Sequence, residues 1–368
     1  MMLQQSPFSI RIKPTHDMAK RRLNKQQQWR IKKIQQERAT RAARKEESIG
    51  EKLDAGDLGP EQQGLVIAHY GQQLDVEALE GEETGKVLRC FVRANIDSLV
   101  TGDKVIWRPG SDGTGVIVAR CDRNTLLQRP DNFGALKPVA ANIDYIILVI
   151  APEPEPHDNL IDRYLVAAES TDIPVIILLN KTDLITDRNR ESIDNLLARY
   201  EKLGYRTERT SAKTLEGEQA VRVEDLVKDQ TSVFVGQSGV GKSSIIQTLL
   251  PDESIRVGAI SESTGKGIHT TTTARLFHLD CGGDLIDSPG IREFGLWHMT
   301  PQEIEYGFRE IRDLIGHCKF RNCSHMGDPG CAIAQAAEDG RISVERMKSF
   351  NRILQDMAEQ QSRGLKAD

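Results

Sequence analysis

The 368-residue chain has no apolar run approaching the roughly 18–20 residues that a bilayer-spanning helix needs. Its longest, Tyr145 to Ala151, has the length of a buried strand, so no membrane role is expected. Aromatic residues make up only 5% of the chain, which argues against a protein that works mainly by base stacking. Six cysteines are too few for a disulfide scaffold. Met1 to Ile10 shows no charged stretch leading into an apolar one, so a signal peptide is not expected either. The expected compartment is reducing cytoplasm. Length suggests two or three folded units, and 38% hydrophobic residues are enough to build their cores.

The net charge of −5 averages two unlike regions. Arg11 to Lys45 holds 13 Lys/Arg against two acids, a local charge of +11. The remainder carries 36 basic against 52 acidic residues, or −16. A basic arm on an acidic body follows, with residues 1–61 taken as arm and linker. The arm reads in three ways: a contact with RNA phosphates, a solvated charge run, or an organellar targeting peptide. Its abundant Gln and Lys fit the last poorly.

Residues 62–130 show short strand-like runs between turn signals: GLVIAHY, KVLRCFVRA, DKVIWRP and GVIVARC. They fit a small β-barrel of the oligonucleotide-binding (OB) kind, and an SH3-like barrel would give the same pattern. Residues 131–290 alternate apolar strands with helical patterns, as a doubly wound α/β sheet requires. Strands are predicted at Tyr145–Ile150, Val175–Leu179, Ser232–Val235 and Asp284–Ile286, and helices at Asp158–Ser170, Arg190–Leu203 and Lys242–Leu250. Residues 291–368 read as a helical segment that carries a Cys/His cluster. Its last helix, near Ser343 to Glu359, should bury Met347, Phe350, Leu354 and Met357.

Gly236-Gln237-Ser238-Gly239-Val240-Gly241-Lys242-Ser243 matches G-x-x-x-x-G-K-[ST] between a predicted strand and helix. Such a loop wraps phosphates with backbone N–H groups at a helix N-terminus. Lys242 would neutralise the β- and γ-phosphates, and the Ser243 hydroxyl would ligate Mg²⁺. Asn180-Lys181-Thr182-Asp183 follows an apolar strand, at the edge where ligands bind in such sheets. A carboxylate there can accept from the ring N–H and amine of guanine. Adenine would leave it facing an acceptor, at a cost of about 1–3 kcal/mol. Ser211-Ala212-Lys213 could offer a backbone N–H to the guanine carbonyl. Asp287-Ser288-Pro289-Gly290 ends another strand, so that Asp287 could hold Mg²⁺ through water and the Gly290 N–H could meet the γ-phosphate. In the glycine- and threonine-rich stretch from Gly265 to Thr273, Thr272 is the first choice for a switch ligand to Mg²⁺, with Thr271 second.

Ordinary GTPases run from phosphate loop to guanine reader; here the reader comes first. With that order, GQSGVGKSS, GIHTTT, DSPG and CKFRNCSHMGDPGCAI together, the chain over roughly residues 62–357 closely resembles the RsgA (YjeQ/YloQ) family of ribosome small-subunit-dependent, circularly permuted GTPases. The resemblance implies GTP hydrolysis, stimulated by the small subunit, in late maturation of that subunit and its rRNA. It also supports nucleotide contacts at Asn180, Lys181, Asp183, Gly239, Gly241, Lys242, Ser243, Ser244 and Thr272. Ile291 follows the DSPG and cannot orient water as a glutamine would. His269 is the candidate for that role, which the family shares; the alternative is a loop residue that meets RNA.

Cys318, Cys323, His325 and Cys331 offer three thiolates and one imidazole within 14 residues, a donor set suited to one tetrahedral structural Zn²⁺. The alternative is buried thiols beside a surface histidine. Cys90, Cys121 and Cys281 read as core residues. Because the Cys/His segment follows Asp287–Gly290 in the chain, nucleotide state is expected to change how it sits on its target. The competing readings are a non-catalytic RNA-binding scaffold that retains nucleotide and a nucleotide kinase; nothing demands more than a monomer.

Overall fold

Strands of alternating pattern form a barrel and largely apolar strands an open sheet, joined edge to edge, in the computed structural model. It describes residues 58–70, 73–93, 96–130, 135–213, 222–250, 274–287 and 299–364. The alternating strands are β1 (Gln62–Tyr70), β2 (Gln73–Ala78), β3 (Val87–Val92), β4 (Lys104–Pro109) and β5 (Thr114–Arg120). In β2, Leu74, Val76 and Ala78 point inward and Gln73, Asp75 and Glu77 outward, the period of two expected when one face is solvated. The inward residues surround the fully buried Trp107. The strand order β1-β2-β3-β5-β4 returns to β1, closing a five-stranded barrel, and β3 pairs β5 in parallel. This closure is that of the OB-type barrel. The pattern reading found four of these strands and overlooked β2, whose outward face is wholly polar.

A hairpin of β6 (Leu126–Pro130) and β7 (Leu136–Ala141) then leads into the second sheet. That sheet comprises β8 (Tyr145–Ile150), β9 (Val175–Leu179), β10 (Arg206–Arg209), β11 (Thr231–Val235), β12 (Arg275–His278) and β13 (Asp284–Asp287), in the spatial order β10-β9-β8-β11-β13-β12. All neighbours are parallel except the β12–β13 pair. β8 and β9 are apolar throughout because helices cover both faces. Ile146, Leu148, Ile177 and Leu179 face α1 (Asp158–Glu169) and α2 (Arg190–Lys202). Ile147, Val149, Ile176 and Leu178 pack with α3 (Val223–Val227) and α4 (Lys242–Leu249) on the other side.

The predicted helices match α1, α2 and α4 to within a residue. Cys90 lies in the barrel core as expected, whereas Cys121 and Cys281 are only half-buried. Cys121 falls just past the end of β5, and Cys281 sits in the β12–β13 turn, where solvent reaches one side.

Beyond residue 299 the described chain is helical: α5 (Pro301–Gly307), α6 (Arg309–Arg312), α7 (Ala332–Glu338) and α8 (Val344–Gly364). Thr300 and Glu303 form a reciprocal capping box that starts α5. On α8, Phe350, Leu354 and Met357 are buried as expected, with Met347 partly so and Ile353 added. Phe350 meets Phe308 edge to face, ring centroids 5.2 Å apart. The same helix carries Arg346, which is 1% exposed and bonds Glu310 at 2.6 Å and Asp162 of α1. Tyr200 of α2 donates to the same Asp162 at 2.7 Å. A buried charged cluster thus docks this helical region on α1 and α2.

Candidate nucleotide site and Cys/His centre

The phosphate loop runs from β11 into α4, as its sequence requires. Gly236 has φ +136° and passes so close to β8 that a Cβ would lie 2.3 Å from the Val149 carbonyl oxygen. Gly241, at φ +95°, caps α4, and a Cβ there would meet Asn180 Nδ2 at 2.3 Å. A side chain at either position would break the loop or push away the reader segment. Lys242 Nζ donates to the Gly236 and Gln237 carbonyls at 2.7 and 2.6 Å, which holds its ammonium in the mouth of the loop. Ser243 and Ser244 occupy the first turn of α4, where backbone N–H groups lack helical partners.

The reader segment leaves the carboxyl end of β9. Asn180 is buried and ties three pieces of chain together. Its Nδ2 donates to the Val240 carbonyl at 2.9 Å, and its Oδ1 accepts from Ala212 N at 3.2 Å. Lys181 takes a left-handed backbone conformation, φ 59°, and spans the top of the phosphate loop. Its Nζ donates to the carbonyls of Gly239 at 2.6 Å and Glu153 at 2.9 Å. The Thr182 N–H donates to the Thr210 carbonyl at 3.2 Å, and Ser211 Oγ donates to Asp183 Oδ1 at 2.7 Å. The Asp183 carboxylate is oriented by this bond yet remains exposed at the sheet edge.

Reader and cradle are therefore in direct contact although 60 residues separate Asn180 from Val240. In the chain, β8–β10 with the reader precede β11–β13 with the loop; in space β11 lies between β8 and β13. Asp287 ends β13, nine-tenths buried on the same carboxyl edge. Gly290, His269, Thr271 and Thr272 lie outside the described residues.

Cys318, Cys323, His325 and Cys331 converge, with their ligand atoms all within 4.8 Å of one another. The Cys318 Sγ–Cys331 Sγ distance is 3.9 Å, and His325 Nδ1 lies 3.6 and 3.4 Å from those sulfurs. Tetrahedral Zn²⁺, at about 2.3 Å to sulfur and 2.0–2.1 Å to nitrogen, would need separations of roughly 3.5–3.8 Å. The set fits a zinc site. Amides of Ala332 and Ala334 donate to Cys318 and Cys331 at 3.3 and 3.4 Å and hold both sulfurs in place. His325 Nε2 lies 3.3 Å from Glu305 Oε1, a carboxylate placed to fix the ring so that Nδ1 faces the thiols. Asp328 accepts from the Ser324 amide at 2.6 Å and braces the Cys323 loop. Sequence reasoning missed Glu305, Asp328 and the Val240 carbonyl. Glu305 comes from another helix with no local signal, and a backbone carbonyl has none in any sequence.

The sequence model of the RsgA GTPase family matches residues 120–297. A small ribosomal subunit biogenesis GTPase RsgA from Marinobacter nauticus is 78% identical over 349 residues, covering 95% of this chain and 99% of its own. The Hahella chejuensis protein of that name is 58% identical, covering 93% of this chain and 98% of its own. Among solved structures, YjeQ from Thermotoga maritima aligns with a TM-score of 0.64 at 29% identity, covering 81% of this chain and 99% of that one. YloQ, described as a circularly permuted GTPase, aligns at 0.61 and 28%, covering 82% and 96%. With a reader-first chain order, a single site built from both halves and relatives matched nearly end to end, the chain belongs to the RsgA GTPase family.

Proposed function

We propose that this protein hydrolyses GTP to GDP and phosphate in the late maturation of the small ribosomal subunit, and that the subunit stimulates the reaction. The observation that carries this reading is the Asn180–Val240 and Lys181–Gly239 contact pair, which joins a guanine reader to a phosphate cradle. Asp183 selects guanine, and Asn180 braces both the Ser211–Ala212 turn and the loop. Gly236 to Ser244 wrap the phosphates, with Lys242 offsetting their charge. When bound, Mg²⁺ supplies charge neutralisation at the β- and γ-oxygens. Ser243 would hold it directly with Thr272, and Asp287 would hold it through water. His269 is the candidate for positioning the attacking water, and Gly290 for meeting the γ-phosphate.

The working regions are the arm and linker (1–61), barrel (62–130), permuted GTPase (131–290) and zinc-binding helical region (291–368). The barrel and the Cys/His region would meet rRNA, one structural Zn²⁺ would hold the latter, and the protein would act as a cytoplasmic monomer. Among the described residues no helix is long and apolar enough to cross a membrane.

The test is phosphate release with and without purified small subunits, with large subunits as control. Small subunits alone should accelerate release, and Lys242→Ala should abolish it. Bound GTP with no phosphate release in either arm would leave the scaffold reading in place, and phosphate transfer to a nucleoside would favour a kinase. His269→Ala with undiminished stimulated turnover would remove that residue from the mechanism.

A further inference from the structure

The barrel and the nucleotide-site sheet share hydrogen-bonded strands. Ala68 of β1 pairs with Arg275 of β12, and Arg275 pairs with Asp287 of β13. One row of residues therefore runs from the barrel to the aspartate on the phosphate side of the site. At about 4.8 Å per strand, Asp287 lies only ~10 Å from the barrel's first strand. Among the described residues the β1–β12 junction has one register pair, and side chains at the two ends of β12 add to its alignment.

Thr101 holds one end. It is fully buried in the barrel turn before β4, and its Oγ1 donates to the carbonyl of Ala274, the residue preceding β12, at 2.8 Å. The turn itself is braced. The Thr101 carbonyl accepts from Ala141 N at 2.9 Å, and buried Asp103 binds Arg123 at 2.6 Å and the Val100 amide at 2.7 Å. His278 holds the other end. Its Nε2 meets Glu77 Oε2 of β2 at 2.6 Å, and its Nδ1 meets Asp284 Oδ1 of β13 at 2.7 Å. A braced turn and a two-sided clasp at the ends of one short strand tie its position to that of the barrel.

We propose that Thr101 and His278 are positioning residues through which RNA bound at the barrel sets the placement of the β12–β13 ribbon, and with it Asp287. Ala274 directly follows the threonine stretch in sequence, so the ribbon joins both segments assigned to Mg²⁺ and the γ-phosphate. The inference rests on the reading of this chain as a subunit-stimulated GTPase. It adds the route by which stimulation reaches the site.

The experiment compares full-length wild type, Thr101→Val, Thr101→Ser and His278→Ala. Steady-state GTP hydrolysis is measured without and with small subunits, alongside GTP KM and subunit affinity. Thr101→Val keeps the shape and removes the donor; Thr101→Ser keeps the donor. Thr101→Val and His278→Ala should lower subunit-stimulated kcat about fivefold or more, the lower end of typical couplings between sites. Basal kcat, GTP KM and subunit affinity should stay at wild-type values, and Thr101→Ser should retain stimulation. Stimulated rates equal to wild type would overturn the proposal. So would basal and stimulated rates that fall by one common factor, or a loss that simply follows weaker subunit binding. If wild type itself shows no stimulation, the functional reading fails, an outcome distinct from variants that behave like a stimulated wild type.

Discussion

The nucleotide-site sheet has two neighbours, and they are attached by different physics. The barrel joins it edge to edge at β1–β12, by strand pairing that the Thr101 and His278 side chains flank, on the side that carries Asp287. The Cys/His helical region docks on α1 and α2, on the reader side, through side chains: Arg346 with Asp162 and Glu310, Arg309 and Arg312 with Glu169, and Arg163 with Asp356. The first attachment is a hydrogen-bonded strand edge, the second a buried ion cluster whose charges are costly to leave unpaired. The expected nucleotide-dependent shift of the Cys/His region therefore has to carry the Arg346 cluster along or break it.

Metal removal should separate the two neighbours most sharply. Structural zinc contributes on the order of 10 kcal/mol to small domains. Chelation, or Cys318→Ser, should raise hydrogen exchange across residues 299–364 and leave β8, β9 and β11 protected. Melting of the whole sheet with the Cys/His region would refute this division. Next in size, Arg346→Met should cost about 3–5 kcal/mol in urea denaturation, because Asp162 and Glu310 would remain buried without their cation. Adding Glu310→Gln should recover part of that loss, and no recovery would mean that Arg346 acts by packing against Phe308 and Tyr200 alone.

Two smaller effects probe the edges of the comparison. Thr300→Ala removes the capping box of α5 and should cost about 1 kcal/mol with nucleotide affinity unchanged. On the barrel side, the Asp284 hydrogen bond raises the His278 pKa to about 9 against the lowering effect of burial, and Glu77 adds to the rise. A raised folded-state value means that the clasp stabilises fully below about pH 6.5, the ordinary histidine value, and loses its contribution as pH rises through about 9. The difference in melting temperature between wild type and His278→Gln should therefore shrink between pH 7 and pH 10. A constant difference would show that the charge on His278 is irrelevant to the junction.

Much of this was readable from local pattern. The runs at Tyr145–Ile150 and Val175–Leu179 announce strands covered on both faces, and the Gly236–Ser243 spacing announces a phosphate loop, because each demand is met within a few consecutive residues. The pattern failed at QLDVEA in β2, whose alternation is short and flanked by polar residues, at LKPVAA with its proline in β7, and at the four-residue β12. Those strands exist because a neighbour supplies hydrogen-bond partners, which a window of sequence cannot register. Glu305 is a similar case, since only the packing of α5 against the Cys/His loop brings it to His325.

The amino-acid order by itself determined which groups are available here: a G-x-x-x-x-G-K-S loop, a carboxylate just past an apolar strand, three thiols with an imidazole, and the reversed motif order that marks the family. Each is a short-range property of spacing and residue type. Only the tertiary structure decided that Asn180 touches Val240, that Ala68, Arg275 and Asp287 form one row, and that Arg346 reaches Asp162 across 184 positions. Such contacts depend on which strands pair and which helices dock, and pairing is settled by the packing of the whole chain.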